Sequence, residues 1–387
     1  MTAPARRRID GLGALLSAVS AAAVLLLPFV VFKSNRIVPG DPHGLLEVLA
    51  PWGAATCVAT LAFAAAVALL ARGAPLRLAA ALLGLLAVAL AVAAAANALT
   101  PPGDRVVRVA PGGAFWILLV CLLLMATDAI TRMRPGPALR VVLLALFFAI
   151  AGTALAHGTF DNLSVMREYA VNAARFVREA RQHVWLSVGS LGAAVIVALP
   201  VGILCHRVPR VRGAILGMLN VIETIPAIAL FGILMAPLAA LAVALPWAAR
   251  LGLSGIGAAP AAVALFLYAL LPIVANTVVG LKRVSRATVE AARGMGMTPW
   301  QVLTRIELVL ALPVILTGVR VVLVQNIGMV TIAALIGGGG LGTFVFQGIG
   351  QTAIDLVLLG AIPIVALAFS AAVLLDALVE AMDRAKA

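Results

Sequence analysis

Long apolar runs separated by short polar segments repeat from one end of this chain to the other. About 20 apolar residues are what an α-helix needs to cross the hydrocarbon of a bilayer. Ten such runs are present, within residues 12–32, 45–70, 77–99, 114–131, 139–156, 184–205, 213–236, 260–281, 311–335 and 352–379. The pattern predicts an all-α, polytopic membrane protein of about ten transmembrane helices. Ala, Leu and Val dominate the runs and Gly is scattered through them, which suits helices packed closely in lipid rather than a barrel. A further stretch, 238–249, is short and interrupted by Pro246, so a re-entrant or interfacial segment is expected there instead of an eleventh span.

The polar segments carry the information. The island from Arg286 to Arg305 reads RATVEAARGMGMTPWQVLTR. Gly294 and Gly296 break the helix before them, while Thr298 followed by Pro299 is a helix start: an N-capping hydroxyl and a proline at the first helical position. Two short helices bent at Gly296 are expected, with Glu290 exposed on the first. Such an element suits force transmission to a partner; the plainer alternative is a solvated loop. A second polar stretch, His157 to His183, sets Met166, Ala170, Ala173, Val177 and Ala180 at helical spacing, with Arg175, Arg178 and Arg181 on other faces. It predicts an amphipathic helix lying at the outer surface, as a linker or as a docking face for another protein. The chain thus divides into an extension of about five spans (1–156), this linker (157–183) and a motif-bearing part (184–384).

Composition agrees. The chain has 387 residues, 64% of them hydrophobic and 11% charged, with a mean hydropathy of +1.15. A soluble domain has about 25% charged residues. The net charge of +13 is a matter of topology rather than nucleic-acid binding, because the arginines sit in short loops. With the N-terminus in the cytoplasm, 18 Lys and Arg fall in cytoplasmic segments, 9 outside, and Arg320 inside a span. That bias has the sign of the positive-inside rule, and it puts Glu290 and both termini in the cytoplasm. Arg6-Arg7-Arg8 followed by an apolar run resembles a signal peptide, but the run is too long and lacks a small-residue cleavage site, so a retained first span is expected. Cys57, Cys121 and Cys205 have no paired spacing and read as small core residues, and the four histidines show no metal spacing.

Polar groups at membrane depth are costly and mark pathways or internal pairs. Glu223, Thr224, Pro226, Asn276, Gln325 and Asn326 are the pathway candidates, and Pro226 frees a backbone carbonyl as kinked, cavity-lining helices do. The alternative for Glu223 is a structural pair, for example with Arg320. Gly337, Gly339 and Gly342 satisfy GxGxxG, but the run follows an apolar span and not a strand, so it reads as a tight outer connection, with an outer gate as the functional alternative. The lysines are Lys33, Lys282 and Lys386, none in a GxxxxGK[ST] setting, so no nucleotide site and no cofactor are expected.

Glu290-Ala291-Ala292, three residues, Gly296, nine residues and Ile306 resemble the EAA loop of ABC importer permeases. The Leu-Pro that follows in that family is replaced by Leu308-Val309, with Leu312-Pro313 four residues later, so the local bend at 309 is not implied. Residues 183–209, 219–234, 294–303 and 335–349 together resemble the permeases of osmoprotectant importers, which carry glycine betaine, choline or carnitine, and methionine-type permeases share parts of the pattern. The likeness spans about 183–384, and a multi-span N-terminal extension resembles one subgroup of betaine permeases. It implies a type I importer core in the C-terminal half, in the cytoplasmic (inner) membrane, with 157–183 periplasmic. It also implies that Glu290, Ala291, Ala292, Gly296, Thr298 and Pro299 couple to separate ATP-binding cassette subunits. A second permease copy, a periplasmic binding protein and membrane lipid are the other partners implied; nucleic acid is not. The rival readings are a permease for methionine or another amino acid, a polytopic membrane enzyme, and an uncoupled channel.

Overall fold

Asp10 starts the first helix: its carboxylate accepts the Gly13 amide and α1 (Gly11–Leu26) follows. The computed structural model describes residues 10–35, 38–71, 73–104, 106–250 and 252–384. The charges counted above at Arg6, Arg7, Arg8, Arg36, Arg72, Arg105 and Lys386, and both chain ends, lie outside the described residues; of Arg384 only the backbone is described.

The first run ends six residues sooner than expected. Its helix stops at Leu26, just before Pro28, and Val30–Lys33 becomes β1. Sixteen helical residues span about 24 Å, short of the roughly 30 Å of hydrocarbon. β1 is the centre of a three-stranded antiparallel sheet, flanked by β2 (Asp41–His43) and β3 (Arg108–Pro111). This sheet is an addition to the all-α expectation. The β-branched run Val30-Val31 suits a strand as well as a helix end, and Pro28 removes the helical choice. A short α2 (Leu45–Val48) leads to three spans, α3 (Pro51–Leu70), α4 (Ala74–Leu99) and α5 (Gly113–Met133).

Next come α6 (Pro137–Ala156) and α7 (Ser164–Arg207). The expected separate surface helix is the first part of α7, a single helix of 44 residues. No Gly or Pro interrupts residues 164–188, so nothing ends the helix where the polarity changes. The run predicted as one span at 213–236 is two helices, α8 (Pro209–Thr224) and α9 (Ala227–Ala244), because Ile225, held before Pro226, takes an extended backbone with ψ of 127°. Residues 238–244, expected to form a re-entrant or interfacial segment, instead complete α9, which is long and apolar enough to cross a membrane; Leu245 then separates it from the short α10 (Pro246–Arg250). Then follow α11 (Ala258–Arg283), α12 (Arg286–Gly294), α13 (Pro299–Val302), a π-helical turn (Leu303–Glu307), α14 (Leu308–Ala333), a 3-10 turn (Ala334–Ile336), α15 (Gly342–Gly350) and α16 (Ile354–Arg384). Among the described residues nine helices are long and apolar enough to cross a membrane, and α1 is a tenth, shorter apolar helix.

The chain forms two compact units. Met1–Gly136 with Ala145–Val171 makes one; Pro137–Leu144 with Asn172–Ala387 makes the other. The core of the first is drawn from α1, α3, α4, α5 and the sheet, around Phe29, Val30, Leu118 and a run of alanines on α4. At one end of this unit Arg77 is almost fully buried, 2.8 Å from Asp10 and 3.4 Å from Asp128, and its Nε donates to the Ala71 carbonyl. Cys57 and Cys121 are buried in this core.

In the second unit α7, α11 and α14 approach closely at small residues. A Cβ on Gly202 would lie 2.6 Å from Thr277, and one on Gly318 would lie 2.9 Å from Asn276. Close backbone approach is how helices gain packing in a solvent as apolar as themselves. Buried Cys205 joins this core.

Candidate functional site

The loop 286–305 folds as its residues dictate. Ser285 caps α12, its Oγ accepting the Thr288 amide at 3.1 Å. Ala292 is the buried residue of α12, and Glu290 and Ala291 are exposed. Gly296 closes the helix at φ +82°, with its amide on the Arg293 carbonyl. Nothing lies within 4 Å of where its Cβ would stand, so the requirement for glycine is conformational. Thr298 then caps α13: its Oγ1 accepts the Gln301 amide at 3.3 Å, and Gln301 Oε1 accepts the Thr298 amide at 2.9 Å. This capping box satisfies two orphan donors at once. Thr298→Ala should cost about 1 kcal/mol of local stability, read as faster amide exchange at 298–302 with exchange elsewhere unchanged.

Sequence reasoning missed four residues here. Met295 and Trp300 are 72% and 70% exposed, two large apolar side chains displayed on the same loop as Glu290. Their signal was an apolar residue inside a polar island. Glu307 closes the π-helical turn and is buried, paired with Arg207 at the end of α7. The signal was a carboxylate entering an apolar run, which is costly without a cation. Leu199 and Ile203 of α7 pack against a cluster of Leu281, Leu303, Ala311 and Ile315.

The pathway candidates fall in three places. Glu223, Thr224 and Pro226 sit at the break between α8 and α9. Tyr268 on α11 donates its hydroxyl to the Ile225 carbonyl that the break leaves open. Glu223 is half-buried and lies within electrostatic reach of that tyrosine. The suggested pair with Arg320 does not form. Arg320 pairs instead with Asp376 of α16, which also binds Arg140 at 2.9 Å, while Arg140 reaches Glu380 at 2.9 Å. Several acids were available to Arg320 by sequence, and only the helix packing selects among them. Asn276 folds back on the Pro272 carbonyl of its own helix at 2.8 Å. Gln325 contacts Met329 Sδ at 3.7 Å. Asn326 is 1% exposed and donates to Ser190 at 3.0 Å, between α7 and α14.

The glycine run is held from α7. Gly337 and Gly339 adopt φ of +78° and +74°, as does Gly340 at +87°. Glu179 accepts the Gly340 amide at 2.9 Å, and His183 Nδ1 accepts the Leu341 amide at 3.2 Å. His183 Nε2 lies 3.0 Å from the Ile327 carbonyl, so the proton sits on Nε2 and the ring is neutral. Arg175 donates to Gln347 at 2.7 Å and lies 5.0 Å over the Phe344 ring. The inward face of residues 175–183 is therefore polar, while Val177 of the expected apolar face is 43% exposed. Backbone amides of the glycine run need acceptors, and α7 supplies them. Gly342 is there for space: a Cβ would overlap the Thr331 carbonyl. Gly342→Ala should cost about 1–3 kcal/mol, whereas Gly350→Ala, with open space around it, should stay within about 0.5 kcal/mol. Melting of the two purified variants in one detergent checks the contrast.

Residues 10–166 match the family described as ABC transporter permease YehY, N-terminal domain, and residues 194–386 match the family described as binding-protein-dependent transport system inner membrane component. Over 205 residues the chain is 36% identical to the carnitine transport permease protein OpuCB of Listeria monocytogenes, covering 53% of this chain and 87% of that protein. It is 44% identical over 187 residues to the osmoprotectant import permease protein OsmW of Salmonella typhimurium, covering 48% and 82%. A solved structure of the inward-facing MetNI methionine ABC transporter matches at 23% identity and a TM-score of 0.44, covering 54% of this chain and 95% of that one.

Proposed function

The chain belongs to the ABC importer permeases of the osmoprotectant type, and from that premise we propose how its parts divide the work. It is the membrane-embedded permease subunit of an importer for a quaternary amine such as glycine betaine, choline or carnitine. Loop 286–305 lies in the cytoplasm, docked on a separate ATP-binding cassette subunit. Glu290 pairs there with a basic group, while Met295 and Trp300 fill the apolar part of the same groove. ATP-driven closure of the cassette subunits displaces the loop, and the helices of residues 184–384 rock between inward-open and outward-open states. The pathway lies between this chain and a second permease copy. A periplasmic binding protein delivers the solute and supplies the aromatic cage that a quaternary ammonium prefers, since this chain is only 5% aromatic.

The observation that carries the coupling role is the exposure of Glu290, Met295 and Trp300 on two rigidly capped short helices. Along the pathway, Glu223, Thr224 and Pro226 at the broken helix are the groups we assign to a passing cation, with Gln325. Gly337, Gly339 and Gly342 belong to the outer gate. Reconstituted with its cassette subunits and binding protein, the complex should take up labelled glycine betaine or choline, and each should compete with the other. Uptake of methionine with no response to quaternary amines would overturn the substrate assignment.

A further inference from the structure

Two clamps tie α7 to α14 and its extensions, one at each end of the bundle. At one end Arg207 pairs with buried Glu307, in the π-helical turn that follows α13. At the other, Glu179 and His183 bind the Gly340 and Leu341 amides, and His183 also binds Ile327 of α14. Between the clamps Asn326 bonds Ser190, again α14 to α7. Glu179 and Arg207 are about 42 Å apart along a continuous helix, more than the roughly 30 Å of hydrocarbon. The segment after loop 286–305 and the glycine turn are therefore fixed to opposite ends of one helix, which runs on through Pro200 at the loss of one backbone hydrogen bond.

We infer that α7 is a transmission strut: Arg207 and Glu307 carry displacement of the loop into α7, and Glu179 and His183 carry it to the glycine turn. These four are positioning residues and touch neither solute nor nucleotide. The inference rests on the coupling role proposed for loop 286–305. A buried carboxylate placed immediately before α14 makes sense in these terms. An ion pair at the base of the strut adds a directional tie between α7 and the turn, which the non-directional apolar packing of Leu199 and Ile203 does not supply. The π-helical turn places Glu307 at the pair, and such turns within helices are frequent at functional sites.

The test uses the complete complex in proteoliposomes. Arg207→Gln and Glu307→Gln should each keep ATP hydrolysis while uptake falls about 5- to 150-fold, the usual range of coupling between sites. The exchange Arg207→Glu with Glu307→Arg should restore much of the uptake. Normal uptake per ATP hydrolysed in both single variants would overturn the inference. A second measurement leaves the clamps intact. Spin labels at Leu204→Cys and Leu335→Cys, both exposed, should keep one distance with and without ATP. A nucleotide-dependent change in that distance would also overturn it. Absence of ATP-driven uptake by the native complex would instead refute the proposed function, so the two failures are distinguishable.

Discussion

Glu290→Lys is expected to abolish ATP-coupled uptake while the chain remains folded in the membrane. The side chain is exposed and makes no contribution to the core of α12, whose buried residue is Ala292. Reversing its charge therefore acts on the partner surface. Disrupting one interfacial charge pair costs about 2–5 kcal/mol, so docking should weaken by at least about 30-fold. The check is paired: uptake in proteoliposomes, and retention of cassette subunits during purification of the permease. Full uptake with normal retention would remove Glu290 from the interface.

The second large effect lies in the first unit. Arg77→Met should destabilise the protein by about 3–5 kcal/mol, because it removes the buried cation between Asp10 and Asp128 and leaves them only the half-exposed Arg132. Arg77 is 8% exposed at its side chain and also satisfies the Ala71 carbonyl. Arg132 touches the same two acids but is 44% exposed, so Arg132→Met should cost no more than about 1 kcal/mol. Melting of the two variants in one detergent decides the matter. Equal losses would show that burial is not what sets the cost. The cluster also fixes a pH response. The Gly13 amide and the Arg77 guanidinium hold the Asp10 carboxyl down to about 2. A folded-state value below the ordinary carboxylate range means that its contribution is complete above about pH 4 and is lost as pH falls through 2.

Much of this was legible from the chain alone, for identifiable reasons. The spans α3, α4, α5 and α6 follow from apolar runs bounded by Gly and Pro. The bend and the second capped helix of 286–302 follow from Gly296, Thr298 and Pro299, whose effects are local, whereas the Ser285 cap of the first was not read from the sequence. What could not be read depends on distant partners. Val30–Lys33 becomes a strand because Arg108–Pro111 lies beside it. Arg320 chooses Asp376 over Glu223 through helix packing. The polar face of 175–183 looks like a surface until the glycine amides are placed against it. Glu307 enters an apolar run and so needs a cation, but that the cation is Arg207, a hundred residues away, is set by packing alone. Pro226 is an intermediate case. A proline in an apolar run signals either a kink or an end, and Tyr268 bonding the Ile225 carbonyl shows that here it is an end.

The central claim is that this chain forms the path through which ATP hydrolysis drives a quaternary amine inward. Its most direct test is accumulation of labelled glycine betaine in proteoliposomes holding the permease, its cassette subunits and its binding protein. The account predicts accumulation above the external concentration with ATP, and none with a non-hydrolysable analogue. Equal entry under both conditions, stopping at the external concentration, would contradict it.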